Sequence, residues 1–285
     1  MSSELAVVVI ALRAQWGIED AVRSLREQAA GCELLVVNSG GGDVAERLAA
    51  ADCAVPVREI AAPVYPGAAR NAGVAATRAR FVAFLAADCR ALPGWVEGRA
   101  TAHGQGAPVV ASAVVNPHRR NPCSWATQAL LFARRMPGVP PPRALLYGCS
   151  YDRALLERCG GFREDLRAGE DTELHQRLAG EAAVLWCPQV RTAHRHPTTL
   201  PGLFADQLAR GRRSARAWAD LGRPDRRAVA RAAFARLPEC TRLTWTAAEP
   251  RDRPWLALAL PLLPFATAAY ALGALRAPRS PGPAP

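Results

Sequence analysis

The chain has 285 residues, enough for a large core with an appendage, and half of them are hydrophobic, which excludes a disordered or collagen-like chain. Its formal net charge is +11, and every basic side chain is Arg because the sequence contains no Lys. Guanidinium stays charged and grips phosphate in a bidentate fork, so nucleotide diphosphates, anionic lipid heads and nucleic acid are candidate partners by charge.

The elements alternate. Leu5 to Leu12 is a β-branched apolar run that suits a buried parallel strand rather than a signal peptide, since no basic residues precede it. A helix with Ile18, Val22 and Leu25 on one face follows and is expected to end at Gly31. Glu33 to Val37 reads as a second strand leading into the polar turn NSGGGD, with Asp43 as N-cap of the next helix. Val55 to Ile60 reads as a strand, Pro66 opens the small-residue helix GAARNAGVAATRA, and Phe81 to Leu85 returns as a strand. Ala68, Ala72, Ala75 and Ala76 are expected to allow close packing of that helix. This rhythm predicts βαβ units, a mostly parallel Rossmann-like α/β sheet, and ligands beyond the carboxyl ends of the strands, where NSGGGD and AADC lie.

Further on, Val109 to Val115 reads as a strand, Ser124 to Arg135 as a helix and PGVPPPR as a rigid loop. Leu145 to Ser150 is predicted as a strand, Asp152 to Arg158 as a helix, and Pro201 to Leu237 as Arg-rich helices. Trp255 to Leu275 carries no charge and has bilayer-spanning length, but Pro261 and Pro264 would break a simple span. It reads as a re-entrant or interfacial hairpin, or as a buried core helix. The tail APRSPGPAP is expected to be disordered. The eight Cys show no zinc spacing and read as reduced, buried residues.

Three segments in order resemble the family-2-type glycosyltransferases of the GT-A fold: PGAARNAGVAATRARFVAFLAADCRALPGWVE (66–97), YGCSYDRALLERCGGFREDLRAGEDTELHQRLA (147–179) and VRTAHRHP (190–197). With the opening strand and NSGGGD the resemblance covers about residues 5–200. It implies a GT-A domain over 1–200; beyond it the residues themselves read as an Arg-rich helical extension over 201–250, a hydrophobic membrane-associated segment over 251–276 and a tail over 277–285. The resemblance also implies an inverting transfer of sugar from a nucleotide-diphosphate donor to a hydroxyl on a lipid-linked or cell-envelope acceptor, at the cytoplasmic face of the cell membrane. The alternative is a catalytically silent nucleotide- or sugar-binding protein. Nucleic acid is not an expected partner, because no stacking or groove-reading motif accompanies the charge.

On the donor side the resemblance implies Asn38, Asp43, Gly67, Arg70, Asn71, Ala87 and Asp88. Asn38 and Ser39 stand where relatives carry acidic residues, one of which contacts the base. In AADC, Ala86 stands where relatives carry the first Asp of Asp-x-Asp, so Asp88 is left to hold a hard divalent cation, Mn²⁺ or Mg²⁺. The alternative reading of Asp88 is as the cap of the following turn. His194 and His196, placed on one strand face, are candidate metal ligands or a structural pair. Asp171 of GEDTEL is implied as the base that takes the acceptor hydroxyl's proton, with Glu170 supporting the acceptor site. The competing reading for both is acidic complement to a helix N-terminus.

Overall fold

The computed structural model describes residues 4–14, 17–28, 31–222 and 225–278. In chain order the regular elements are β1 (Leu5–Leu12), α1 (Ile18–Arg26), β2 (Glu33–Ser39), α2 (Val44–Ala50), β3 (Val57–Ile60), α3 (Pro66–Ala76), β4 (Phe81–Ala86), β5 (Cys89–Ala91), α4 (Trp95–Gly104), β6 (Val109–Val115) and α5 (Pro122–Phe132). They continue with β7 (Ser150–Asp152), α6 (Arg153–Arg158), α7 (Glu170–Leu178), β8 (Val184–His194), α8 (Leu200–Asp220), α9 (Arg226–Ala247), α10 (Arg253–Ala259) and α11 (Leu262–Leu275). The contacts divide the chain into two compact units, Met1–Ala113 with Leu146–Ala193, and Val114–Leu145 with His194–Pro283.

The first unit is built on an eight-stranded sheet in the order β3-β2-β1-β4-β7-β6-β8-β5. The β1–β4 half is parallel, as the alternating pattern predicts, and β7 makes the sheet mixed by pairing antiparallel with both β4 and β6. The core on this sheet joins Val7 and Val9 of β1 with Ile18, Val22 and Leu25 of α1, all without solvent exposure. Those three residues share one helix face by their spacing of four and three, so α1 forms as an amphipathic cover for the strand. It ends at Arg26, earlier than Gly31, and residues 29–30 of the expected helix lie outside the described ones.

Other boundaries shift for identifiable reasons. β2 runs two residues beyond Val37, because Asn38 and Ser39 pair in register with Ala11 and Leu12 of β1. Asp43 precedes α2 but makes no side-chain cap, since its backbone is left-handed (φ 51°). In α3 the buried face is Gly67, Ala69 and Gly73, whereas Ala75 and Ala76 are exposed. A Cβ on Gly73 would stand 2.4 Å from Val8 Cγ1, so this glycine sets the close approach of helix to strand. The strand predicted over Leu145 to Ser150 is irregular up to Cys149, and β7 covers only Ser150–Asp152. Asp152 caps α6 by accepting from Leu155 N at 3.3 Å.

Helix α4 carries a buried polar pair. Arg99, fully buried, donates to Val110 O and Ser150 Oγ at 3.0 Å and to Gly148 O at 2.8 Å, and lies 4.1 Å over the Trp95 ring. His103, one turn on, reaches Ala107 O and Ser150 Oγ, each at 2.7 Å, and burial pushes its pKa down to about 4. The helix thereby ties β6 to β7.

The second unit is helical. Its core gathers Trp125, Ala126 and Ala129 of α5, Leu203 of α8, and Leu256, Ala259, Leu263 and Ala266 of α10 and α11. Among the described residues no single helix is long and apolar enough to cross a membrane; Pro250–Ala259 and Leu262–Leu275 form an apolar pair bent by 57°. The tail expected to be disordered falls, from residue 279 onward, outside the described residues.

Candidate functional site

In the first unit, parallel register brings the predicted donor-side segments to one sheet edge. Asn38 pairs with Ala11 and Ala86 with Ile10, so the ends of β1, β2 and β4 lie side by side. Gly40, Gly41 and Gly42 follow β2 with φ of 82°, 82° and 111°. A Cβ on Gly42 would meet Ala14 Cβ at 2.5 Å, so the turn lies directly against the loop after β1. That loop holds Arg13 and Ala14, both at positive φ although neither is glycine. Backbone held in this region persists only where its surroundings over-determine it, and it gathers at functional edges. Sequence reading missed these two residues, since nothing in their side chains announces the conformation.

Asn38 is fully buried, and its amide is engaged within the unit. Its Oδ1 accepts from Ala14 N at 3.0 Å, and its Nδ2 donates to Gly41 O at 3.0 Å and Glu59 Oε2 at 2.7 Å. Ala87 is buried and donates its N–H to Ile10 O at 3.1 Å. Asp88 is half-buried just beyond β4, with Cys89 Sγ donating to its Oδ1 at 3.5 Å. A carboxylate here is a hard oxygen donor of the kind Mg²⁺ or Mn²⁺ takes, so Asp88 fits a cation.

Helix α3 reaches from this edge to the acidic segment. Arg70 forms an ion pair with Glu170 in which both side chains are mostly buried, and its guanidinium sits 5.8 Å from the Phe84 ring and 5.2 Å from the Phe162 ring. Burial opposes its charge, but the Glu170 and then the Asp171 carboxylate outweigh that and raise its pKa. Asn71 works as a backbone clamp: its Oδ1 accepts from Phe162 N at 2.9 Å and its Nδ2 donates to Phe162 O at 2.8 Å and Glu164 Oε1 at 2.9 Å. Gly67 is buried against the same loop, and a Cβ there would stand 2.0 Å from Arg163 O. Gly67 and Asn71 thus hold the segment that precedes α7.

Gly169, at φ 87°, starts α7 with Glu170 and Asp171 in its first turn. Glu170 is buried and Asp171 half-buried, and being adjacent they face different directions. One turn along, His175 Nε2 meets Tyr151 OH at 3.1 Å, and Tyr147 OH meets Thr172 Oγ1 at 2.7 Å. Burial lowers the His175 pKa, against the pull of Asp171. Burial raises that of Tyr151, which the Asp171 charge reinforces. Arg177 holds the start of the loop through Cys159 O, Gly161 O at 2.7 Å and Glu173. Arg153 caps the end of α3 through Ala79 O at 2.8 Å, Val74 O at 2.6 Å and Thr77 Oγ1 at 2.9 Å. Sequence reading passed over all four supports. The helical spacing of Asp171 and His175 is the one signal that pointed to any of them.

In the second unit, His194 ends β8 and His196 lies beyond it, so the two do not share a strand face. His196 is buried, with Nδ1 at 3.2 Å from His194 Nδ1 and Nε2 at 2.9 Å from Gln128 Oε1. Gln128 holds Nε2, which leaves Nδ1, beside that of His194, as the ring nitrogen on which the metal-ligand reading rests. Burial, followed by the His194 charge, pushes its pKa well below the ordinary histidine value.

Comparison with known proteins agrees with this architecture. The curated pre-mycofactocin glycosyltransferases of Mycobacterium tuberculosis strains CDC 1551 and H37Rv are 31% identical over 215 residues, covering 69% of this chain and 44% of theirs. The chain therefore spans less than half the length of these relatives. Among solved structures, a mannosyltransferase from Pyrobaculum calidifontis, in complex with GDP-Man and Mn²⁺, shares the fold with a TM-score of 0.57 at 18% identity, covering 96% of this chain and 87% of that one. S. aureus TarS 1–349 superposes with a TM-score of 0.52 at 16% identity, covering 95% and 89%. The family model described as glycosyl transferase family 2 matches residues 6–158, more than half of the sequence, and the chain belongs to that family.

Proposed function

We propose that the chain transfers a sugar from a nucleotide-diphosphate donor to an acceptor hydroxyl, with inversion at the anomeric carbon. The observation that carries the reading is the adjacent acidic pair opening α7: Glu170 is bound by Arg70 of α3, and Asp171 is left half-buried beside it. Arg70 in turn lies over Phe84 of β4, four residues before Asp88, so a short chain of contacts links the acidic pair to the strand that leads into Asp88.

In this reading Asp171 takes the proton from the acceptor oxygen as that oxygen attacks the anomeric carbon, and the diphosphate leaves from the opposite face. Glu170 does not compete for the proton, because Arg70 holds it. A divalent cation held by Asp88 supplies positive charge to the leaving diphosphate when bound. The donor lies along the β1, β2 and β4 edge, with the Gly40–Gly42 turn and Ala87 offering close backbone approach. Asn38 shapes that edge with its amide, which holds Ala14 N and Gly41 O, and Asp43 turns the backbone into α2 at a left-handed φ. Gly67, Arg70 and Asn71 position the acidic segment. The mannosyltransferase complex with GDP-Man and Mn²⁺ supports a nucleotide-sugar donor and a divalent ion. The apolar α10–α11 pair supports an acceptor that is lipid-linked or held near a membrane.

The test is turnover of UDP-, GDP- and dTDP-sugars with and without Mn²⁺, repeated with Asp171→Asn. The variant is expected to lose about 10²–10⁴-fold in turnover while nucleotide binding, followed by thermal shift, is kept. Unchanged turnover removes Asp171 from the mechanism.

A further inference from the structure

The exposed side of α10–α11 is apolar from end to end. On α11, Phe265 is 65% exposed, Leu272 41% and Leu275 46%, and with exposed Ala268 they recur as a stripe at helical spacing; Leu258 of α10, 58% exposed, and Pro261 at the bend are exposed apolar residues too. The opposite side is spent on packing: Leu256, Ala259, Leu263, Ala266 and Ala274 are buried. Gly211 of α8 and Gly273 of α11 bring the two backbones together, since a Cβ on either would stand about 2 Å from a carbonyl oxygen of the other helix (1.9 and 2.1 Å). A contiguous apolar surface of this kind on a folded chain marks a contact site.

Arginines frame the stripe. Arg251 and Arg253 are exposed at its start. Arg276 follows its end, where Arg226 of α9 also donates to Leu275 O at 3.3 Å. Acidic groups beside the stripe are paired with arginine: Asp252 with Arg119, Glu249 with Arg119 and Arg251, and Asp225, next to Arg226, with Arg231. Arg253 and Arg276, both exposed, therefore set positive charge at the two ends of an apolar centre. A second copy would bring the same arginines together on a chain of net charge +11, whereas an anionic lipid surface complements both parts.

We propose that the α10–α11 face lies flat in the interface of an anionic membrane, with Phe265 and the leucines among the acyl chains and the arginines at the headgroups. The bend of 57° and the packing against α8 fix this as surface attachment, because a transmembrane path would strip the buried side of its contacts. The proposal deepens the membrane-proximal acceptor of the proposed function.

The experiment is co-sedimentation of the full chain with vesicles of phosphatidylcholine alone or mixed with phosphatidylglycerol. The chain is expected to sediment with the anionic vesicles. Phe265→Asp with Leu272→Asp, both at exposed positions, is expected to weaken partition by about tenfold or more with an unchanged circular dichroism spectrum. Arg253→Gln with Arg276→Gln is expected to weaken binding to anionic vesicles and leave the neutral ones unaffected. Failure of the parent chain to bind anionic vesicles, or equal binding by the Asp variant, overturns the proposal. So does a concentration-dependent dimer that the Asp variant dissolves, which would make the stripe a self-interface. Turnover of a soluble acceptor, measured in parallel without vesicles, separates the two readings: intact turnover with no vesicle binding removes the membrane face alone, and vesicle binding without turnover removes the transferase reading alone.

Discussion

Asn71 shows how much one polar side chain decides here. Its amide satisfies both backbone groups of Phe162 and one oxygen of Glu164, 91 and 93 residues away in sequence. Asn71→Ala leaves the Phe162 N–H and C=O without their partner, a loss of about 2–4 kcal/mol at roughly 1–3 per orphaned group when partial solvation is allowed for. Urea denaturation checks it, and Asn71→Asp is expected to recover only part of the loss, because a carboxylate accepts from Phe162 N but cannot donate to Phe162 O. His103 gives the pH dependence. Its folded pKa is about 4, below the ordinary 6.5, so between those values the unfolded chain binds a proton that the folded chain refuses. The stability it contributes is full above pH 6.5 and is lost as pH falls toward 4, amounting to about 2–3 kcal/mol. A Tm series against pH is expected to fall through that window, and His103→Gln to flatten it. At this scale the sequence was only partly legible. Asp171 and Arg70 stood out by motif, but that Asn71 clamps a loop and that the Asn38 amide is used up are facts about distant partners.

Helices α8 and α11 owe their contact to glycine. Gly211 faces Tyr270 O and Gly273 faces Leu208 O, so each backbone lies where the other's side chain would otherwise be. Gly211→Val or Gly273→Val forces the helices apart and is expected to cost about 3 kcal/mol, seen as a lower urea midpoint. A Gly222→Ala control tests a different property, strain at φ 71°, because nothing stands within 4 Å of the Cβ it would add. Element type was readable wherever apolar periodicity was strong, as in β1, α1, β2 and β4. It failed at residues 145–150, whose apolar run resembles a strand, yet only Ser150–Asp152 finds pairing partners, in β4 and β6. In the apolar run at 255–275 a break was legible in Pro261 and Pro264, but not the angle at which the two halves meet. Two helices meeting at 57° around Leu260 and Pro261 are what the packing leaves.

For the molecule as a whole, ligand binding and stability are one equilibrium. A nucleotide that binds only the folded chain raises stability by about 2.7 kcal/mol at a hundredfold excess over its Kd. A thermal-shift panel of UDP, GDP and dTDP with Mn²⁺ is expected to single out one base. Asp88→Asn is expected to remove the Mn²⁺-dependent part of that shift and leave the metal-free part, and an unaltered Mn²⁺ response would exclude Asp88 as the ligand. The sequence by itself determined the α/β class, which rests on local periodicity, and the family, which rests on the ordered resemblance of three segments, and it singled out Glu170 and Asp171 as the candidate acidic pair. Only the tertiary structure decided that β7 makes the sheet mixed, that His196 lies between His194 and Gln128, that Gly67 and Asn71 hold the loop before α7, and which side of α10–α11 is left bare. Each of those depends on which distant backbone or side chain fills the space beside a residue, and a hydrogen bond or close contact between residues far apart in the chain leaves no periodic trace in sequence.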